Sequence, residues 1–202
     1  LSMSPERFLR IQDRYIETKP IKGTRARGAD AQRDQLLMRE LQQSEKDRAE
    51  LLMIVDLERN DLGRICLPGS VKVEDLFAVT AHAHVIHMDA LIYGILKENT
   101  GIDTVLRHTF PGGSITGAPK IMAMNIIEDL EPTARGVYTG SIGYIDIGGN
   151  CDLNIAIRTL IIKDGFGYYQ AGGGLVADSD PEMEFEETLV KSKILFLMQE
   201  EV

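Results

Sequence analysis

Apolar positions divide the chain into stretches of two different periods. Phe8-Leu9-Arg10-Ile11 and Tyr15-Ile16-Glu17-Thr18 are rich in β-forming residues and flank the turn signal Gln12-Asp13-Arg14, so extended structure is predicted over 6–18. From 31 to 64 the period changes. Leu36, Leu37, Leu41, Leu51, Leu52, Ile54 and Val55 recur at spacings of three and four, which predicts two helices with a break near Gln43-Ser44. Ser44 with Asp47 three residues on is a capping box with the shorter acid. Val71 to Val79 reads as strand, while His82 to Leu96 fits strand or helix on periodicity alone. A short helix is predicted from about 100 to 110, and another from Lys120 to Leu130, with Pro119 suited to its start. Val137 to Ile147, Cys151 to Lys163 and Phe166 to Ala171 predict three consecutive strands, the last two joined by the hairpin signal Asp164-Gly165. A final helix is predicted from about 180 to 199.

Strands and helices do not alternate strictly. That disfavours a doubly wound parallel sheet and predicts an α+β domain. The first two strands find no partner in this pattern except each other, and the chain opens Leu1-Ser2-Met3. Both features create the expectation that 1–202 is the C-terminal portion of a larger domain whose N-terminal portion is absent.

Net charge is -9, there is no Trp, and aromatic residues make up 6% of the 202 positions. A general nucleic-acid binder needs a basic face and stacking residues, so that class is disfavoured. The start lacks a basic segment followed by an apolar one, and no apolar run reaches the length of a membrane span, so a cytoplasmic protein off the membrane is expected. Cys66 and Cys151 are expected as two separate reduced thiols. An acidic chain repels small anions unless cations or a metal are placed locally. The segment 19–27 does place four cations, Lys19, Lys22, Arg25 and Arg27, in what reads as a glycine-bearing loop up to Asp30.

Several groups could carry chemistry. Asp47 and Glu50 share one face of a predicted helix, as do Glu184 and Glu187. Each pair is ordinarily a solvated surface; two pairs on facing helices would suit Mg²⁺. The runs Gly112-Gly113 and Gly172-Gly173-Gly174 permit close backbone approach to an anion, or are tight turns. Strand alternation puts His82 and His84 on one face and His87 on the other; core histidines are the default reading. Arg158 stands in mid-strand among apolar residues, where its partner is solvent, a buried carboxylate or a bound carboxylate. Lys22, between Pro20 and Gly23, is either a nucleophile whose pKa neighbouring cations depress or part of an anion-attracting surface.

Six blocks in order resemble the C-terminal half of the chorismate-utilising enzymes, the family of anthranilate, aminodeoxychorismate, isochorismate and salicylate synthases. They are Ser4-Pro5-Glu6, Pro20-Ile21-Lys22-Gly23-Thr24-Arg25, the helical run from Glu50 to Leu62, Gly117-Ala118-Pro119-Lys120, Ile155-Ala156-Ile157-Arg158-Thr159, and Ala171 to Ser179. The resemblance implies part of a two-sheet α/β sandwich around a chorismate pocket. It implies Mg²⁺ held by Glu50 and Glu187, with Asp47 and Glu184 nearby. It implies substrate contacts from Gly23, His87, Ser114, Thr116, Tyr138, Arg158, Gly173 and Gly174. Glu6 matches the general acid/base. Lys22, where anthranilate synthases usually carry Ala, matches the proposed nucleophile of aminodeoxychorismate synthases, which aminate chorismate at C4 with ammonia from a glutamine amidotransferase partner. Anthranilate synthase component I, and an inactive chorismate-binding fragment, are the competing expectations.

Overall fold

A computed structural model describes residues 1–177 and 179–197. Three strands, β1 (Arg7–Gln12), β2 (Tyr15–Lys19) and β3 (Ile21–Ala26), lead into helices α1 (Ala31–Gln43) and α2 (Glu45–Ile65). The long hairpin β4 (Lys72–Ala81) and β5 (Val85–Ile95) follows, then α3 (Ile102–Thr109) and α4 (Lys120–Leu130). Strands β6 (Ser141–Ile145), β7 (Cys151–Ile155), β8 (Leu160–Lys163) and β9 (Phe166–Tyr169) precede the last helix, α5 (Pro181–Leu197). The mixture is the predicted α+β, and its sheets are antiparallel throughout.

Seven strands form one sheet in the order β3-β5-β2-β1-β7-β6, with β4 on the free edge of β5; β8 and β9 make a separate hairpin. β5 organises the sheet because it is long enough to pair twice along one edge, with β3 through 85–89 and with β2 through 92–95. Its Ile86, Met88, Ala90 and Ile92 are fully buried at the two-residue period of a strand. α2 lies against them through Leu51, Val55, Leu62 and Ile65, one helical stripe. Each such side chain contributes roughly 1.5–3 kcal/mol by leaving water. The break between α1 and α2 falls at Ser44, whose Oγ accepts from the Asp47 amide at 3.3 Å and caps α2.

Five expectations need correction. The cationic segment 19–30 is not all loop, because β3 uses the free half-edge of β5 that β2 leaves. The first strands do not pair only with each other: β1 also pairs β7, and β2 pairs β5, contacts of long sequence separation that local pattern cannot reveal. The stretch 151–163 is not one strand but breaks after Ile155, and Arg158 sits in the break with φ +50° rather than in mid-strand. The strand predicted from Val137 starts only at Ser141. His82 and His84 do not alternate along a strand, since both fall in the turn between β4 and β5. The stretch 82–96, open between helix and strand, is mostly β5. Positions 198–199 of the last predicted helix lie outside the described residues.

Several elements leave apolar side chains in water, α4 and β6 among them. α4 exposes Ile121, Met122, Met124, Ile126 and Leu130, and β6 exposes Ile142, Tyr144 and Ile145.

Candidate functional site

A bulge in β3 aims Lys22. The β3–β5 register shifts between Lys22 and Thr24, and Gly23 takes φ +76° at the shift. A Cβ at Gly23 would come within 2.7 Å of Leu41 Cδ1 and 3.0 Å of Asp47 Cβ, so α1 and α2 press directly on the bulge. Lys22 Nζ then reaches the carbonyl oxygen of Ser114 at 3.4 Å. It enters a solvent-open cavity of about 360 Å³ that Glu50, Ser114, Thr116 and Gly174 also line, with Met53 and Ile54 as its apolar wall. Five predicted site residues, distant in sequence, therefore share one cavity.

The run of three glycines is a contact surface. A Cβ on Gly172 would stand 3.2 Å from the Tyr138 hydroxyl, one on Gly173 would stand 3.1 Å from Glu184 Oε2, and one on Gly174 would stand 3.4 Å from Lys22 Nζ. Lys191 Nζ ties the run to α5 by donating to the Gly172 carbonyl at 2.9 Å. The glycines thus bring Tyr138, the α5 carboxylates and Lys22 along one strip of backbone.

Each of the four candidate acids, Asp47 and Glu50 on α2 and Glu184 and Glu187 on α5, is matched by a cation of the chain itself. Arg25 pairs Asp47 at 2.8 Å, and Lys191 pairs Glu187 at 2.5 Å. Lys46 Nζ lies 3.2 Å from Glu184 Oε1 and 3.9 Å from Glu50 Oε1, joining the two helices. Burial pushes the Glu50 carboxyl up, against the pull of Lys22 and Lys46. Glu184 is held below its usual value, chiefly because the Ser179 hydroxyl donates to it at 2.7 Å. Among the described residues no three His, Cys, Asp or Glu side chains are gathered into a ligand set. Two of the donors, the carboxylates of Glu50 and Glu184, come from two helices and share the Lys46 ammonium, and carboxylate oxygens are the donor type a hard cation takes. Sequence reading missed Lys46; its i,i+4 spacing from Glu50 is visible but looks like an ordinary surface pair.

Glu6, His87, Tyr138 and Arg158 form a second group. Burial pushes the Glu6 carboxyl up; the charges of Lys22 and Arg158 and the backbone at Ile21 pull it back. Ser114 Oγ, though close to Glu6, is off hydrogen-bonding geometry and is the one buried side-chain polar atom among the described residues with no partner. His87, on β5, is pushed down to about 4 by burial and by the neighbouring His82 and Arg158. Its Nδ1 lies 2.9 Å from the Thr24 hydroxyl just past the bulge. The charge of Arg158 reaches Glu6, His87, Tyr138 and Tyr169 at once, from the bend where β7 ends.

Glu58 was also missed. It is buried on α2 and pushed up to about 8, first by burial and then by the charge of Glu6. The Thr18 hydroxyl donates to it at 3.1 Å, and Gly113 packs on it, a Cβ there falling 3.3 Å from Glu58 Oε1. A carboxylate inside the apolar stripe Leu51, Val55, Leu62, Ile65 was the available signal. No described helix is long and apolar enough to cross a membrane.

Comparison with known proteins gives this arrangement its context. The family model described as chorismate binding enzyme matches residues 1–196. Anthranilate synthase component 1 of Aquifex aeolicus is 48% identical over 195 residues, which are 96% of this chain and 40% of that protein. Aminodeoxychorismate synthase component 1 of Salmonella typhimurium is 50% identical over 191 residues, 95% of this chain and 42% of that protein. The chain thus spans about two fifths of the curated relatives it matches. Among solved structures, anthranilate synthase component I from Streptococcus pneumoniae superposes with a TM-score of 0.85 at 40% identity, covering 96% of this chain and 42% of that one. MenF, the menaquinone-specific isochorismate synthase of Escherichia coli, superposes at 0.83 with 26% identity, covering 96% and 44%. A model matching nearly the whole length, with Lys22, Glu50 and the glycine run meeting in one cavity, makes this chain a member of the chorismate-binding enzyme family.

Proposed function

We propose that the chain carries the catalytic groups of an aminodeoxychorismate synthase, aminating chorismate at C4. The observation that carries this reading is Lys22 Nζ inside the cavity, beside Glu50 and Gly174 and within electrostatic reach of Glu6. The lysine amine attacks C2, forming the C–N bond as the ring double bonds shift and the C4–O bond breaks. Glu6, which burial keeps toward its protonated form, delivers the proton that lets hydroxide leave as water. Ammonia then adds at C4, the double bonds shift back, and the C2–N bond breaks to free the lysine. Arg158 and Tyr138 hold the enolpyruvyl carboxylate, and the Gly173-Gly174 amides assist; His87, Ser114 and Thr116 face the ring, and Gly23 sets the aim of Lys22. Glu50 and Glu187, with Asp47 and Glu184 beside them, would hold Mg²⁺, which when bound neutralises the ring carboxylate of the substrate. A glutamine amidotransferase partner supplies the ammonia.

Relatives named anthranilate synthase component 1 are as similar as those named aminodeoxychorismate synthase component 1, so anthranilate formation is the competing reading. Incubating the protein with chorismate and Mg²⁺ but no ammonia, then mapping adducts by mass spectrometry, separates them. An adduct on Lys22 that ammonia discharges as 4-amino-4-deoxychorismate is expected, and its loss in Lys22→Ala. Anthranilate as product, or an adduct on another residue, overturns the reading.

A further inference from the structure

Among the described residues, Lys46 is the one cation paired with carboxylates of two different helices, the buried Glu184 and the half-buried Glu50. The side chains of Glu184 and Glu50 are only 8% and 15% exposed, whereas that of Lys46 is 53% exposed. Carboxylates withdrawn from water need a counter-charge, and the one these two share is on a flexible stem with open water beside it. Such an ammonium can leave without any backbone movement. We propose that Lys46 is the resident counter-ion of the α2–α5 carboxylates and that a divalent cation enters by displacing it.

This rests on the metal reading given under the proposed function and adds to it a determinant of affinity. The free protein does not present an open cluster of negative charge. Lys46 already clasps α5 to α2, so an arriving ion exchanges one cation for another rather than ordering the helix. The apparent affinity for the ion is then weakened by the contacts Lys46 must give up, and the coupling is reciprocal: an ion that expels Lys46 is itself opposed by Lys46. Arg25 and Lys191 each sit on their own acid, so Lys46 is the cation that Glu50 and Glu184 share, with Lys22 also drawing on Glu50. The outcome differs from a surface ion pair, whose removal would leave metal affinity nearly untouched.

The test is a Mn²⁺ titration followed by electron paramagnetic resonance, with Mn²⁺ as the probe. Lys46→Gln is expected to bind roughly tenfold more tightly than the wild type, and Lys46→Arg, which keeps the charge, to stay near the wild type. Equal affinities for wild type and Lys46→Gln overturn the proposal, provided that Glu50→Gln weakens both. If Glu50→Gln changes neither, the ion is not held here and the metal reading itself fails. A second measurement stands if Lys46→Gln does not fold. In the wild type, saturating Mg²⁺ is expected to raise the rate at which an amine-acylating reagent modifies Lys46, read by peptide mass spectrometry. An unchanged rate at saturation overturns the proposal.

Discussion

Lys120 Nζ lies 2.6 Å from Asp61 Oδ2, and the same ammonium donates to the carbonyl oxygens of Thr109 and Pro111 at 3.1 and 2.8 Å. One side chain at the start of α4 therefore ties down the C-terminus of α3, the glycine loop that carries Ser114, and the C-terminal part of α2. Both partners are largely buried, at 16% and 9% side-chain exposure. Removing one partner leaves the other charge stranded. Lys120→Met is expected to cost about 3–5 kcal/mol in urea unfolding. Pairing it with Asp61→Asn should recover part of that loss, because no buried carboxylate is then left unpaired. A double variant as unstable as the single one would show that the ion pair is not what holds the loop.

His87 gives stability a pH dependence of known sign. Its folded-state pKa is about 4 against an ordinary 6.5, so between those values the unfolded chain binds more protons than the folded one. Stability contributed by the neutral imidazole is full above about 6.5 and is lost as pH falls toward 4, by about 3 kcal/mol at most. Thermal unfolding of His87→Gln, compared with the wild type at pH 4.5 and 7.5, checks this. The variant should show the shallower fall at low pH.

Glu58 slopes the other way. Its folded-state pKa near 8 exceeds the ordinary 4.5, so the folded chain holds the extra proton. The benefit is full below about 4.5 and is lost as pH rises through 8. Glu58→Gln keeps the shape and cannot ionise. It is expected to be more heat-resistant than the wild type at pH 8.5, with the difference shrinking at pH 6.

Ser114→Ala tests what the unpartnered hydroxyl is for. Because Ser114 Oγ makes no hydrogen bond in the free protein, its loss is expected to leave melting unchanged or slightly raised. Chorismate binding by calorimetry is expected to weaken by about 0.5–1.5 kcal/mol, the worth of one hydrogen bond. A clear drop in melting temperature would instead make the hydroxyl structural.

What the sequence exposed and what it hid have physical reasons. Helices α1 and α2 were legible because Leu41, Leu51 and Val55 repeat at the helical period and Ser44 announces a cap. β3 was hidden because two of its six residues are cations and its stability comes from pairing with β5, about sixty residues away. The bend at Arg158 was hidden too, since a left-handed non-glycine residue is stabilised by its surroundings and leaves no local signal. For the site, the family resemblance named Lys22, Glu50, Ser114, Thr116 and Gly174, which the fold does gather. Glu58 went unnoticed because an apolar stripe invites reading past its one acid. Lys46 went unnoticed because a lysine four residues before a glutamate is commonplace on helices.

The thickness of the Gly172-Gly173-Gly174 strip sets the spacing of everything it touches. Each hydrogen atom there acts as a shim between backbone and a working group: the Tyr138 hydroxyl, the Glu184 carboxylate, the Lys22 amine. Methyl groups at these three positions would therefore not do the same thing three times. One would crowd the Tyr138 hydroxyl, one would press on Glu184 of α5, and one would only rest in contact with Lys22. Alanine at 172 and at 173 would therefore disturb two different neighbours, the Tyr138 hydroxyl and the Glu184 carboxylate, while alanine at 174 would fit beside Lys22.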